Sequence, residues 1–532
     1  MKAVKNFLLR ASTLAMLAGI LAAGLVLGVA ELVGSFFTSR SAPLIALGST
    51  FIDFTPPWLK DFAIDTFGTN DKLALFVGMG VTIVALAALL GYVAWRTWVL
   101  GVAGVLLLGV VIVAAVVSRA GASPFDALPS VLGTVAGLAA LRWMIRKVHA
   151  STAPKTQHDD GEGANSHART DAADGEPATS RRSFFAAAGV TAVVAAVAAT
   201  GGAVIGGVRN TVNVVREKLT FPSPASAAPP VPEGVEVDVD GVVPWVTPNE
   251  DFYRIDTALS IPQVDVDTWE LRIHGMVEEE VTINFQDLLD SELIERHITL
   301  TCVSNPVGGD LIGNAKWLGF PIRELLAQAK PQEGADMVLS TSTDGFSAST
   351  PLPILQDDRD AILAIAMNDE PLPLEHGYPV RMVVPGLYGY VSATKWVVDL
   401  EVTRFADQTA YWTNRGWSEK GPIKTMARVE VPRSFEQMAA GTVMVGGSAW
   451  AQHRGVEKVE VQIDDDDWQE ATLAAEASVD TWRQWSLETE LEPGSHRIRA
   501  RAYDPEGVQT EQRADTVPNG ASGWPSVQFS AE

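Results

Sequence analysis

The chain has 532 residues with 64 acidic and 40 basic side chains, a formal net charge of −24, and a hydrophobic fraction of 47%. The acidity argues against nucleic acid as a partner, while the apolar fraction places part of the chain in lipid and leaves length for two or three globular units. A single cysteine excludes an intrachain disulfide framework, so any domain on the oxidising side of a membrane must be stable through its own core.

Five apolar runs, Phe7–Leu32, Leu73–Trp95, Trp98–Val117, Ser130–Met144 and Phe184–Val208, are long enough, or nearly so, to cross about 30 Å of hydrocarbon, which makes 1–208 a membrane domain. Lys2, Lys5 and Arg10 precede the first run, Arg96 sits in the tight second connection, and Arg142, Arg146 and Lys147 follow the fourth. Positive residues favour the cytoplasmic side, so the amino terminus is expected inside and everything after Val208 outside. The expected location is the plasma membrane, multi-pass, with the C-terminal domains extracytoplasmic. The first run also fits a cleaved signal peptide, but the further spans favour an uncleaved anchor. No histidine falls within the five runs, and His149 lies just beyond the fourth. Haem in a membrane bundle needs facing histidines, so this half is expected to anchor or dock, leaving electron transfer to a separate partner.

The polar stretch His149–Ser180 reads as a disordered cytoplasmic loop. It runs into Ser180-Arg181-Arg182-Ser183-Phe184-Phe185 (180–185), followed by a weakly hydrophobic Ala/Val/Gly helix. That pattern is either an internal twin-arginine translocation signal or a plain positive-inside pair. Twin-arginine export carries folded domains, as a cofactor inserted in the cytoplasm would require.

Residues 209–240 read as a linker, with Phe221–Glu236 rich in Pro, Ala and Ser and standing the outer domains off the membrane. Over 241–420, strand-like runs at Trp269–Ile273, His297–Val303 and Tyr378–Val384 alternate with short helices such as Ile322–Ala329, an α+β pattern. Over 421–532, runs at Lys458–Ile463, Trp485–Leu487 and His496–Tyr503 are separated by turns at Asp464–Asp467, Pro493-Gly494 and Asp504–Gly507. Regular short strands of this kind suggest an immunoglobulin-like β-sandwich. The Asp464–Asp467 run lacks the spaced ligands of a calcium loop and reads as a solvated hairpin tip.

The stretch His297–Gly319 holds the lone cysteine. Ile298, Leu300 and Cys302 alternate with His297, Thr299 and Thr301 until Pro306 and Gly308-Gly309 stop the strand, so Cys302 is expected to point inward at a strand end. Such a thiol can be a small core hydrophobe, a nucleophile or a metal ligand.

Cys302-Val303-Ser304-Asn305, Gly313-Asn314-Ala315-Lys316-Trp317-Leu318-Gly319, and His376-Gly377-Tyr378-Pro379-Val380-Arg381 through Pro385-Gly386 to Lys395-Trp396 resemble the sulfite oxidase family of molybdopterin-dependent oxidoreductases. The resemblance is to a membrane-anchored, actinobacterial type. It runs from about Pro244 to the end, because Gly447–Trp450, Trp468, Trp482, Trp485 and Arg499–Asp504 resemble the sandwich that follows the cofactor domain in that family and commonly mediates dimerisation. The implied cofactors are molybdenum and molybdopterin, with Cys302 as thiolate ligand to the metal and catalytic together with Arg254. The same resemblance places Phe252, Tyr253, Arg254, Asp344, His376, Arg381, Thr394 and Lys395 around the cofactor, Arg381, Lys395 and His376 suiting its phosphate and Asp344 the amino edge of its pterin. It also implies a small-molecule substrate and is compatible with a homodimer.

Two departures bear on the substrate. Where family members that oxidise sulfite have an arginine shortly after the cysteine, this chain has Pro306-Val307-Gly308, and Trp417 stands at the position matched to a tyrosine. The expected activity is oxo transfer on a small substrate by a protein that is not an efficient sulfite oxidase. The alternatives are a reductase of sulfoxides such as oxidised methionine and a non-catalytic surface binding protein.

If the arginine pair is an export signal, replacing Arg181 and Arg182 by lysine leaves the outer domains inside while the first four spans still insert. Protease digestion of spheroplasts reads this directly: the outer domains are cut in the wild type and protected in the variant.

Overall fold

The computed structural model describes residues 2–35, 46–48, 50–51, 55, 66, 71–117, 124–152, 178–208, 215–258 and 260–532, in two compact units, Met1–Thr211 and Val212–Glu532. In the first unit, α1 (Lys2–Gly34), α2 (Asp71–Arg96), α3 (Trp98–Val117), α4 (Leu128–Thr152) and α5 (Ala178–Val208) are all long and apolar enough to cross a membrane. Helix α1 is the hub, packing against α2, α4 and α5. Its Ala11, Ala15, Ala18 and Ala22, three or four residues apart, form one buried face of minimal bulk. Gly19 and Gly91 set the closest approach of α1 to α2: a Cβ on either would stand 2.8 Å from the other's Cα. The outer faces carry exposed Val77, Val81, Val99, Leu100 and Val193, as contact with lipid tails demands.

Helix α4 exceeds the apolar run Ser130–Met144 that marks it in the sequence. Its 25 residues span roughly 37 Å, because Arg142, Arg146 and Lys147 interrupt the hydropathy but are good helix formers. His149 consequently lies on the helix, in its last turn, rather than beyond it. Residues 153–177 of the polar loop lie outside the described residues, and the arginine pair falls in the first turns of α5.

The second unit begins with an ordered strap, not a free linker. Ala225 N–H donates to Leu293 O at 2.8 Å, Ser226 O accepts from Glu295 N–H at 2.9 Å, and Val237 N–H donates to Gln484 Oε1 at 2.9 Å. The Pro/Ala/Ser composition of Phe221–Glu236 forbids a helix but leaves backbone groups that pair along an open strand edge.

Ten strands follow: β1 (Glu270–Gly275), β2 (Val281–Asn284), β3 (Ile294–Thr301), β4 (Ile312–Pro321), β5 (Met337–Ser342), β6 (Ser347–Pro351), β7 (Ile362–Met367), β8 (Glu370–Pro371), β9 (Arg381–Val383) and β10 (Val397–Thr403). They make one sheet in the order β2-β1-β10-β5-β6 and another in the order β3-β4-β7-β8 with β9 on β7. Three short helices connect them, α6 (Phe285–Leu289), α7 (Ile322–Ala329) and α8 (Leu352–Gln356). Helix α7 buries Ile322, Leu325, Leu326 and Ala329, the stripe its 3.6-residue period predicts.

The C-terminal region is all β. A sheet of β11 (Met426–Val431), β13 (Gly441–Trp450), β17 (Arg483–Leu491) and β16 (Thr472–Leu473) shares a core with a sheet of β12 (Gln437–Met438), β20 (Ser526–Ala531), β18 (Gly494–Asp504), β14 (Lys458–Ile463) and β15 (Gln469–Glu470), with β19 (Gly507–Val508) on β18. Val445, Val459, Val461, Trp485, Ile498 and Ala500 fill that core from both sheets. At the tip after β14, His496 pairs with Asp464 at 2.9 Å, and Arg497 and Arg499 pair with Asp465 at 2.7 and 3.0 Å, so two of the four aspartates are already neutralised.

Strand β3 departs from simple alternation. Its apolar face enters the core through Ile298 and Leu300, but Thr299 and Thr301 are buried too, each 1% exposed. The reason is the C-terminal region, which covers that face: Trp482 N–H donates to Thr299 Oγ1 at 2.8 Å, Thr299 N–H donates to Asp480 O at 3.0 Å, and Gln452 Nε2 donates to Thr301 Oγ1 at 2.9 Å. Thr299 Oγ1 also donates to Asn314 Oδ1 at 3.1 Å. Thr299→Val keeps the shape and removes the hydroxyl, leaving a buried N–H unpaired at a cost of about 1–3 kcal/mol. We expect a lower thermal unfolding midpoint for Thr299→Val, measured by circular dichroism, and restoration of most of the loss in Thr299→Ser.

Candidate active site

Cys302 follows the last residue of β3 and opens a tight loop that returns to β4. Cys302 N–H donates to Leu311 O at 3.0 Å, Asn305 N–H donates to Cys302 O at 3.1 Å, and Asn305 Oδ1 accepts Leu311 N–H at 3.1 Å. From the C-terminal region, Arg428 Nη1 donates to Gly309 O at 3.3 Å. The thiol is therefore fixed by two parts of the unit. It is 8% exposed, with Sγ 2.9 Å from Ser304 Oγ. Burial pushes the thiol pKa up, against the opposing pull of Ser304 and the Lys395 charge. A buried thiol with a raised pKa stays protonated and is a weak nucleophile unless a positive centre is brought to it.

The thiol faces an open-mouthed cavity of about 890 Å³, open solvent at its mouth included. Phe252, Tyr253, Asp344, Arg381 and Lys395 line it with Cys302. Gly313 on β4 makes room for one wall, since a Cβ there would stand 2.7 Å from the Phe252 ring. Phe252 then meets Trp317 and His376 edge-on, at 5.8 and 5.5 Å, and stacks with Tyr253 at 5.3 Å.

Arg381 is 3% exposed. Its guanidinium donates to His376 O at 3.1 Å, lies 5.1 Å from the Trp317 ring centre, and has no carboxylate within ion-pair distance among the described residues. Burial draws its pKa down to about 10. Lys395 Nζ donates to Glu375 O at 2.9 Å and stands 3.4 Å from Asp256 Oδ2; burial pulls its pKa down to about 8, opposed by Asp256. A fully buried guanidinium without a counter-charge is costly, and an anion in the cavity relieves it.

The other expected site residues are not on the cavity wall. Arg254 has 41% of its side chain exposed and pairs with Asp256 at 2.9 Å, while its neighbours Tyr253, Ile255 and Asp256 meet the cavity. His376 lies behind Phe252, buried, its Nε2–H donating to Asn249 O at 3.1 Å. Its pKa falls to about 3 through burial and the nearby Arg381 and Lys395 charges, so the ring is neutral. Thr394 is buried behind the wall, its Oγ1 2.7 Å from Ser340 Oγ. Asp344 is on the wall and accepts from Thr257 Oγ1 and Phe346 N–H, both at 3.2 Å.

Aromatic side chains complete the wall: Phe346, Tyr390, Trp396, Trp412 and Trp417, with Lys395 Nζ 5.6 Å from the Trp396 ring centre. Trp417 lies 5.9 Å from Tyr390 and 6.3 Å from Trp412. Of these, Trp417 and, in the Lys395-Trp396 motif, Trp396 are singled out by sequence. Ser304 sits in the quoted Cys302 motif, while Trp412, Tyr390 and Ile255 carry no local signal.

Residues 258–412 match the model of the oxidoreductase molybdopterin binding domain. The chain is 27% identical over 303 residues to mitochondrial sulfite oxidase of Homo sapiens, covering 48% of this chain and 55% of that one. To mitochondrial sulfite oxidase of Drosophila melanogaster it is 30% identical over 315 residues, covering 49% and 54%. The chain thus spans about half the length of these curated relatives. Among solved structures, the sulfane dehydrogenase SoxCD of Paracoccus pantotrophus is similar at 21% identity and a TM-score of 0.48, over 56% of this chain and 85% of that one. Residues 258–412 therefore form a molybdopterin-binding oxidoreductase domain, and the chain is similar to the sulfite oxidases.

Proposed function

We propose that the protein is a membrane-anchored, extracytoplasmic molybdenum enzyme that transfers an oxygen atom to or from a small uncharged substrate and is a poor sulfite oxidase. The observation that carries this reading is one cavity holding both the only thiol of the chain and a buried guanidinium that has no counter-charge among the described residues.

The residues present fit a molybdopterin. Arg381 has two-point geometry for phosphate and Lys395 acts as a nearby point charge. Asp344 retains lone pairs for the amino edge of a flat heterocycle. Cys302 offers one soft ligand, and among the described residues no three His, Cys, Asp or Glu side chains gather to hold a metal unaided. When bound, the cofactor supplies a metal that can exchange an oxygen atom and two electrons. The chain's own part is to fix the Cys302 sulfur through its loop and Ser304, to place the cofactor's charge against Arg381 and Lys395, and to keep water from the aromatic side through Trp412 and Trp417.

Substrate charge follows from what is left over. Arg381 and Lys395 are the cations on the cavity wall among the described residues, and in this reading the cofactor phosphate occupies them. Arg254 turns to solvent and Pro306–Gly308 supplies no arginine, so a dianion entering the cavity would lose hydration without replacement. A sulfoxide or other neutral oxygen-bearing molecule suits the aromatic wall. The apolar helices serve as anchor, the C-terminal sheets as an immunoglobulin-like sandwich suited to homodimer formation, and a separate protein carries the electrons.

We expect Cys302→Ser in the full chain to fold but to contain little molybdenum, by metal analysis alongside circular dichroism, since a hydroxyl is a harder and far less acidic ligand than a thiol. With sulfite and ferricyanide, the wild type should show a kcat/KM well below roughly 10⁷ M⁻¹s⁻¹, each missing charge-assisted contact costing on the order of tenfold to a hundredfold. Rapid sulfite turnover at that level would show the assignment of the substrate end to be wrong.

A further inference from the structure

Five residues on the cavity wall carry hydroxyls: Tyr253, Thr257, Ser304, Ser342 and Tyr390. Four are engaged. Thr257 donates to Asp344, Ser304 meets the Cys302 sulfur, Ser342 receives Asp344 N–H at 3.4 Å, and Tyr390 donates to Ser418 O at 2.6 Å. Tyr253 has no hydrogen-bond partner for its hydroxyl among the described residues. Its position is nonetheless well determined, through the stack on Phe252 and the room made by Gly313. Gly389 helps to locate the oxygen: a Cβ there would lie 3.9 Å from Tyr253 Oη and 3.8 Å from Thr301 O, so the hydroxyl and the strand end that precedes Cys302 border the same space beside Gly389.

We propose that Tyr253 is a catalytic residue whose hydroxyl donates a hydrogen bond to the oxygen atom transferred at the Cys302 centre, supplying the hydroxyl that Trp417 lacks; this rests on the oxo-transfer reading above. In the reductive direction the sulfur–oxygen bond breaks and sulfur gains two electrons from an external reductant. The oxygen leaves as water with two protons drawn from solvent. Tyr253 remains a phenol throughout, steadying the negative charge that develops on oxygen as the bond breaks. Burial first, and then the nearby Cys302, raises its pKa, so the donor proton is present at every working pH. A donor that meets only the oxygen discriminates between a sulfoxide and the sulfide it becomes.

The test is Tyr253→Phe in the full-length, detergent-solubilised protein. We expect unchanged molybdenum and pterin content, an affinity for dimethyl sulfoxide lower by about three- to tenfold in titration calorimetry, and an unchanged affinity for dimethyl sulfide. With reduced methyl viologen as electron donor, kcat for dimethyl sulfoxide should also fall. Equal weakening of both ligands, an unchanged sulfoxide affinity, or loss of the cofactor would overturn the proposal, the last by making Tyr253 a cofactor holder. If the wild type binds sulfite and not dimethyl sulfoxide, the substrate reading alone fails. Tyr253→Phe is then read on sulfite, where a three- to tenfold loss upholds the donor and an unchanged constant refutes it.

Discussion

A strand with threonines buried on one face and hydrocarbon on the other underlies everything built in the second unit. Thr299 and Thr301 of β3 could be buried only because Trp482, Asp480, Asn314 and Gln452 meet their polar groups. An unpaired hydroxyl or amide there would cost about as much as a lost buried hydrogen bond, and the strand would not be covered. The arrangement joins the C-terminal sheets to the strand that ends in Cys302. Arg428 reaches the same loop from β11. The second region is therefore part of what holds the thiol in place, whatever else its outer surface does.

The second organising feature is charge. Arg381 and Lys395 are both buried near a cavity, and the protein answers only one of them with a carboxylate, Asp256. Backbone carbonyls and the Trp317 face soften the cost for Arg381 without cancelling it. His376 responds by staying neutral. Such a balance is poor for a protein that keeps its cavity to itself and good for one that receives an anionic group, which is the physical basis for reading the cavity as a cofactor site.

Much of the local structure was legible because it depends on neighbours in sequence. Lys458–Ile463 and Ile322–Ala329 coincide with their periodic patterns, and the five apolar runs all lie on long helices. Length was misjudged where hydropathy and helix propensity part company, as at Arg142–Lys147 in α4. The Phe221–Glu236 strap was illegible for another reason. Its composition says only that it is not a helix, and what it does is set by the open edge of β3, some seventy residues away. The site divides the same way: the thiol and its loop can be found from a lone cysteine at a strand end, but the direction of Arg254 cannot, because an irregular segment has no period to decide which side chain faces inward.

By itself, the sequence determined the class of each segment, the sidedness that its positive residues favour, and the presence of one thiol among cationic and aromatic motifs of the sulfite oxidase family. These are properties of composition and short-range periodicity, which act within a few residues. Only the tertiary structure decided that Ile255 and not Arg254 meets the cavity, that His376 and Thr394 stand behind its wall, and that, among the described residues, Arg381 lacks a counter-charge and the Tyr253 hydroxyl a hydrogen-bond partner. Those outcomes depend on segments as far apart in sequence as Asn249 and His376 being packed together, where burial sets the energy of each polar atom and no local pattern records it.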